Sequence, residues 1–285
     1  MVLLLRILIA LVAAPVAGGL LTGADRIITA RMQRRKGPPL LQPFYDVIKL
    51  LKKEATTVNG ITRFFTTFSL VFTALSVVLL FIGQDLLLCV FSFTLACIFF
   101  VITGYSSYSP YSFIGAEREL IQIMCYEPMV LITAFGMYEA CGSFSTADML
   151  NSPSPVILRI PLIFAGLLFV LTVKLRKSPF DLSMSHHGHQ ELVKGITTEL
   201  TGICLAMVEM THWFETIFAL ALVYLFFVYH SIAGHAIAVT VCLIVFFLEI
   251  LIDNMFARLK WKSALKLCWI VTASLSFANF LMLDL

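Results

Sequence analysis

The chain has 285 residues, of which 60% are hydrophobic and 13% charged, and its mean hydropathy is +0.95. Soluble domains are about half apolar and about a quarter charged, so the composition excludes a soluble globular enzyme and indicates one all-α integral membrane domain over residues 1–285. The net charge of +3 is small, and its distribution says more than its size.

A hydrocarbon core of about 30 Å takes about 20 apolar residues of helix. Helix is required because lipid cannot satisfy free backbone groups. Eight stretches qualify, near 2–22, 64–83, 86–103, 120–140, 156–173, 200–229, 235–253 and 264–283. The first run has some features of a signal peptide, with Ala14-Pro15-Val16-Ala17 as a cleavage-like stretch. Arg6 interrupts its start, however, and dense positive charge follows it instead of preceding it, so it is read as a retained helix.

After this span, residues 40–53 read as an amphipathic helix. Leu41, Phe44, Tyr45, Ile48 and Leu51 fall near helical spacing, and Asp46, Lys49, Lys52 and Lys53 supply the polar side. Such a helix either lies on the lipid interface or packs between the membrane domain and a soluble partner. The 200–229 run is long for a straight crossing and holds Glu209, His212 and Glu215 along one slowly drifting face.

Of the 20 Lys and Arg, 18 fall in four alternate loops: 23–63, 104–119, 174–199 and the segment around 258–266. Only Arg6 and Arg159 lie opposite. The positive-inside rule places those four loops in the cytoplasm and both termini on the outer side of a prokaryotic inner membrane.

Ionisable groups within apolar spans are costly and tend to face a bundle interior or a water path. Here they are Glu127, Glu209, His212, Glu215, Glu249 and Asp253, with Glu249 and Asp253 one turn apart on one face. Glu127 and Glu209 read as ion-path groups. Glu139, Glu215 and Asp253 read as carboxylates at span ends, solvated or paired with loop cations. His186, His187 and His189 are weak metal-ligand candidates, since a surface HHGH lacks a second spaced pair. The seven cysteines form no CxxC pair and read as small buried hydrophobes. No phosphate loop, dinucleotide fingerprint or Ser-His-Asp order is present.

The loops carry a family resemblance. Ala24-Asp25-Arg26 with Ala30-Arg31-Met32-Gln33-Arg34-Arg35-Lys36-Gly37-Pro38 is similar to a stretch of the NuoH-type subunit of respiratory complex I. So are Leu41-Gln42-Pro43 through Asp46 and Lys53-Glu54, Cys125-Tyr126-Glu127, and Ser178-Pro179-Phe180-Asp181-Leu182 with Glu191-Leu192, Gly195 and Thr198-Glu199. The departures are Ser183 to His189, where complex I members carry further acids, and the acidic Glu117-Arg118-Glu119. Both resemble the membrane subunit of energy-converting, ferredoxin-linked [NiFe] hydrogenases of the Ech type.

This resemblance implies a non-catalytic membrane-anchoring and coupling subunit that links ferredoxin-dependent hydrogen chemistry to H⁺ or Na⁺ translocation. Its implied partners are hydrogenase large and small subunits, an iron–sulfur subunit, an antiporter-like membrane subunit, lipid and, indirectly, ferredoxin; nucleic acid is not among them. No cofactor is implied for this chain, and the [NiFe] centre and [4Fe-4S] clusters would belong to partners. Glu127, Glu199, Glu209, Glu249 and Asp253 would form the ion path. Asp25, Arg26, Arg31, Arg35, Asp46, Glu117, Arg118, Glu119, Asp181 and Glu191 would organise the docking loops. Two other readings stay open: the quinone-site subunit of a complex I-type dehydrogenase, and a purely structural anchor.

Overall fold

A computed structural model describes residues 2–54, 59–181 and 194–283. Glu191 and the three histidines of the HHGH segment lie outside the described residues. The chain forms ten α-helices there: α1 Val2–Met32, α2 Gln42–Lys52, α3 Gly60–Ile82, α4 Leu86–Tyr105, α5 Pro110–Cys141, α6 Thr146–Leu150, α7 Pro161–Lys174, α8 Gly202–Phe227, α9 Ile232–Met255 and α10 Trp261–Leu283. Short 3-10 turns occupy Val156–Leu158 and Gly195–Glu199.

Seven of these helices are long and apolar enough to cross a bilayer. The expected span at 156–173 is divided, with a 3-10 turn ending at Leu158 and a helix of only 14 residues starting at Pro161. That helix is about 21 Å long at 1.5 Å per residue, yet it connects the two ends of the bundle. At one end Leu86 N–H donates to Phe144 O (2.8 Å), Thr146 N–H to Gln84 O (3.1 Å) and His230 N–H to Ser152 O (3.0 Å). These bonds gather the 83–85, 142–155 and 228–231 links. At the other end Leu259 N–H donates to Pro179 O (2.9 Å), and Thr62 shares a hydroxyl hydrogen bond with Ser106 (2.9 Å). The basic segments thus meet in pairs, and the described residues give seven helices long enough to cross a bilayer where the sequence predicted eight spans.

Two expected boundaries move toward that end. α1 continues ten residues past position 22 and carries Asp25, Arg26 and Arg31 on helix. α5 begins at Pro110, inside the segment expected as the 104–119 loop, and keeps Pro128 within it. Proline suits the first helical turn because its missing N–H would go unbonded there. The polar first turns of α5 defeat a hydropathy reading, but other elements hold them: Ser112 donates to Ile196 O, Glu117 accepts from Tyr105 and Glu119 pairs with Arg176.

α8 occupies the middle, touching α1, α2, α3, α7 and α9, while α5 packs on α4, α7 and α10. One face of α2 docks on α8, with Val47 buried against Ala206 and Trp213 and the Phe44 ring 5.1 Å from that of Trp213. Leu41, Tyr45, Ile48 and Leu51 point outward. The helix thus packs on its own membrane domain and keeps a second apolar stripe open.

The backbone also approaches Gly115 closely, where an added Cβ would meet Ile196 N at 2.5 Å and Gly195 C at 2.7 Å. Gly195 itself sits at φ +54°, which favours glycine. The seven cysteines are free, and five of them are buried, as the reading of small hydrophobes expects.

Candidate functional site

The basic end opens into a cleft of about 1030 Å³ between α1, α8, α9 and the segment after α7. Of its 24 lining residues among the described ones, 11 are charged, and Leu175, Phe246 and Phe256 are the large apolar ones. The helical spacing of Glu209, His212 and Glu215 along α8 brings all three to this wall.

Arg176 is the organising group. Its Nη2 lies 2.7 Å from Glu119 Oε1, its Nε 3.2 and 3.3 Å from the two Glu119 oxygens, and its Nη1 3.0 Å from Glu215 Oε2. The same Nη1 is 2.7 Å from His212 Nδ1. Glu215 Oε2 lies 3.0 Å from the same Nδ1, so a donor and an acceptor share that nitrogen, while His212 Nε2 has no hydrogen-bond partner among the described residues. The Arg176 side chain is 12% exposed and those of Glu119 and Glu215 are 3% and 8%. Burial alone would make the guanidinium easier to deprotonate, but the charges of Glu119 and Glu215 outweigh it and hold Arg176 firmly protonated. α5, α8 and the post-α7 segment are thereby tied together.

Lys177 makes a second junction. It pairs with Asp25 of α1 and lies 3.3 Å from Asp253 of α9, whose other oxygen accepts from Ser178 N–H at 2.8 Å. Here too burial opposes the charge, and the two aspartates more than restore it. Asp253 is thus a carboxylate paired with a loop lysine. Arg26 bridges α1 to α2 through Asp46 at 2.7 Å, and Gln42 adds a bond to the same carboxylate. Burial raises the Asp46 carboxyl, but Arg26, Gln42 and Lys49 together take it below the ordinary value.

Arg258 closes the third junction, 2.6 Å from Asp181, whose other oxygen has no hydrogen-bond partner among the described residues. Burial pushes the Asp181 carboxyl up to about 6, although Arg258 pulls the other way. The folded state therefore binds more protons than the unfolded chain between the ordinary value of 3.8 and about 6, and this group's contribution to stability falls as pH rises through that window. Asp181→Asn is expected to remove that slope, read as the thermal midpoint of the purified complex at pH 4, 5, 6 and 7. An unchanged slope would count against the assignment.

The remaining sequence candidates are spread out. Glu209 lines the cleft and has no hydrogen-bond partner among the described residues. Glu127 accepts a hydrogen bond from the Thr94 hydroxyl of α4, away from the cleft. Glu249 is 2% exposed, its Oε2 has no hydrogen-bond partner among the described residues, and the charges that act on it are Lys177 and Asp253. Glu199 is exposed at the end of its 3-10 turn. Arg31 is exposed, Arg35 lines the cleft and bonds Gln33 at 3.0 Å, and Glu117 accepts from the Tyr105 hydroxyl at 2.8 Å. Arg118 lies near Glu117 and Glu119 on the same helical turn, half-buried. No group of three His, Cys, Asp or Glu converges as a metal site among the described residues.

Lys174, Arg176 and Lys177 count in the sequence only as loop charges, whereas the structure buries them among acids. Glu215, read as a span-end carboxylate, is central to the network. One signal pointed this way: Glu119, Glu215 and Glu249 need compensation inside apolar surroundings, and Lys174 to Lys177 is a basic cluster placed directly at the end of a span.

A model of the NADH dehydrogenase family matches residues 5–284. Formate hydrogenlyase subunit 4 of Escherichia coli (strain K12) is 31% identical over 201 residues; the match spans 64% of this chain and 64% of that protein's length. An NADH-quinone oxidoreductase subunit of Helicobacter pylori (strain Shi470) is 24% identical, spanning 98% of this chain and 95% of that one. A chain in the membrane-bound sulfane sulfur reductase, an archaeal respiratory membrane complex, has the same fold, with a TM-score of 0.86 at 24% identity over 98% of this chain and 100% of that one.

Proposed function

We propose, on the premise that this chain belongs to the NADH dehydrogenase family, that it is the membrane-anchoring and coupling subunit of an energy-converting [NiFe] hydrogenase complex. In this reading the basic end is cytoplasmic by the positive-inside rule and docks a soluble redox arm. Ferredoxin supplies electrons to [4Fe-4S] clusters and a [NiFe] centre held by the large, small and iron–sulfur partner subunits. This chain holds no cofactor. It transmits the released energy to H⁺ or Na⁺ movement together with an antiporter-like membrane subunit.

The cleft carries this reading. Its wall is nearly half charged and continues inward through Arg176, Glu119 and Glu215. A lipid quinone is favoured by a mostly apolar pocket with a few polar groups, and this lining is the opposite. A hydrated vestibule above linked acids suits a different task. A change of charge at a docked redox centre alters the field there, and the coupled carboxylates respond by shifting proton occupancy.

Purification of the complex through a tag on this chain tests the reading. Expected are a co-purifying nickel-containing subunit, hydrogen evolution from reduced ferredoxin, and ion uptake into inverted vesicles. Glu209→Gln is expected to lower ion uptake per hydrogen about fivefold or more, in the range of a typical coupling free energy. Quinone reductase activity without nickel would overturn the proposal in favour of the complex I role. Loss of assembly without a separable uptake defect would favour a plain anchor.

A further inference from the structure

Lys174 ends α7 with its side chain 8% exposed, and the acid beside it already has closer partners. Its Nζ stands 4.0 Å from Glu215 Oε1, whereas Arg176 reaches the other Glu215 oxygen at 3.0 Å and His212 lies 3.0 Å from it. Lys174 rests instead on aromatic faces and weak acceptors. Its Nζ is 3.6 Å from the Phe93 ring centroid and 4.4 Å from that of Tyr126, and it donates to the Tyr126 hydroxyl at 3.2 Å and Cys97 Sγ at 3.4 Å. An ammonium held this way is stabilised by cation–π attraction, but it gives up the stronger bond that a carboxylate offers.

Two further facts make this arrangement bistable. Arg176 is itself shared, because Glu119 holds two of its three nitrogens. And a void of about 20 Å³ adjoins Lys174, walled otherwise by apolar side chains such as Leu167, Leu171 and Phe218. A water needs two to four polar partners to occupy such a space. Lys174 is the one charged group among the void's nine lining residues, so the space offers a water few partners and leaves unfilled volume beside the lysine side chain.

We propose that Lys174 is a positioning residue that competes with Arg176 for Glu215, so that any withdrawal of Arg176 toward the cleft is answered by movement of Lys174 onto Glu215. This rests on the coupling role proposed above and names its inner switch. The groups facing the switch are Glu119, Tyr126 and Glu127 from α5, Cys97 from α4, His212 and Glu215 from α8, and Arg176. In one state Arg176 bridges Glu119 and Glu215 while Lys174 lies on the rings. In the other, Arg176 serves Glu119 alone and Lys174 neutralises Glu215. No covalent bond changes; a positive charge moves between α4–α5 and α8 in response to an event at the cleft. A ligand or partner biases such an equilibrium only through differential contacts with the two states, and Arg176, at the cleft wall, supplies them.

The test uses the intact complex in inverted vesicles. Lys174→Met is expected to lower ion uptake per hydrogen about fivefold or more, with hydrogen evolution within about twofold of wild type, and Lys174→Arg is expected to recover at least half of the uptake. Infrared difference spectra on reduction should contain a carboxylate band that Glu215→Gln abolishes, Lys174→Met displaces and Lys174→Arg retains. Should Lys174→Met not accumulate, Lys174→Gln takes its place, since it keeps a donor to Tyr126 and loses the charge. Wild-type uptake and an undisplaced band in the neutral variants overturn the inference. If the wild-type complex moves no ion, the coupling role fails, and the infrared band alone decides whether Lys174 answers Glu215.

Discussion

Arg176→Met is expected to cost about 3–5 kcal/mol of stability, because it leaves buried Glu119 without its cation and Glu215 with Lys174 alone, 4.0 Å away. Three side chains lose a partner at once: Glu119, Glu215 and His212. The loss should appear as failure to accumulate in the membrane, or as a much lower thermal midpoint of the detergent-solubilised complex. The cause is the uncompensated charge and not the missing volume, so a compensated variant separates the two. Arg176→Met combined with Glu119→Gln and Glu215→Gln is expected to recover most of the stability, since a buried ion network and a neutral replacement of similar shape differ little. Arg176→Lys is expected to fall between, because one ammonium cannot reproduce a planar fork that reaches two carboxylates. A single-variant loss under about 1 kcal/mol, as for an exposed pair, would show that the site is solvated.

Glu249→Gln is expected to do the reverse. Glu249 is 2% exposed in α9, makes no ion pair with a lysine or arginine among the described residues, and leaves Oε2 without a hydrogen bond. The glutamine keeps the shape and removes the exchangeable carboxyl proton, so stability should change by about 1 kcal/mol or less. Ion uptake per hydrogen should fall by about an order of magnitude, the scale on which removing a positioned proton carrier acts. The reason lies in its position: one turn deeper than Asp253, beneath the Lys177 junction that floors the cleft. A carboxyl kept in a dry span without compensation is costly, and it is a functional site by default. Uptake equal to wild type would leave Glu249 as a packing residue and restrict the ion path to the Glu209–Glu215 side of the cleft.

The two variants separate the ways in which this bundle holds acids. Glu119 and Glu215 are locked by a cation and serve the tertiary structure as well as any coupling. Glu249 and Glu209 make no ion pair with a lysine or arginine among the described residues. One of each kind, Glu215 and Glu209, lines the cleft, which would let a docking event at the basic end reach them through Arg176 and Lys177.

The sequence by itself determined the class, the order of the helices and the charged end, because these depend on local quantities. About 20 apolar residues suffice for a helix to cross lipid wherever they occur, and the sum of Lys and Arg in a loop needs no knowledge of what the loop touches. The docking of α2 was half legible: its apolar face is in the sequence, but that Val47 and Phe44 meet α8 while Tyr45 and Ile48 stay outward is not. Tertiary structure alone decided which charges meet. Glu119 and Arg176 are 57 residues apart and Arg176 and Glu215 are 39 apart, and neither distance follows any helical period. It also decided that α7 spans the bundle with 14 residues, because neighbouring helices bury that segment and the lipid thickness no longer sets its length. The basic loops inferred from charge are therefore real, but their inner members, Lys174, Arg176 and Lys177, belong to the protein interior. Burial turns each from a solvated charge into one that must find an acid, and only packing supplies it.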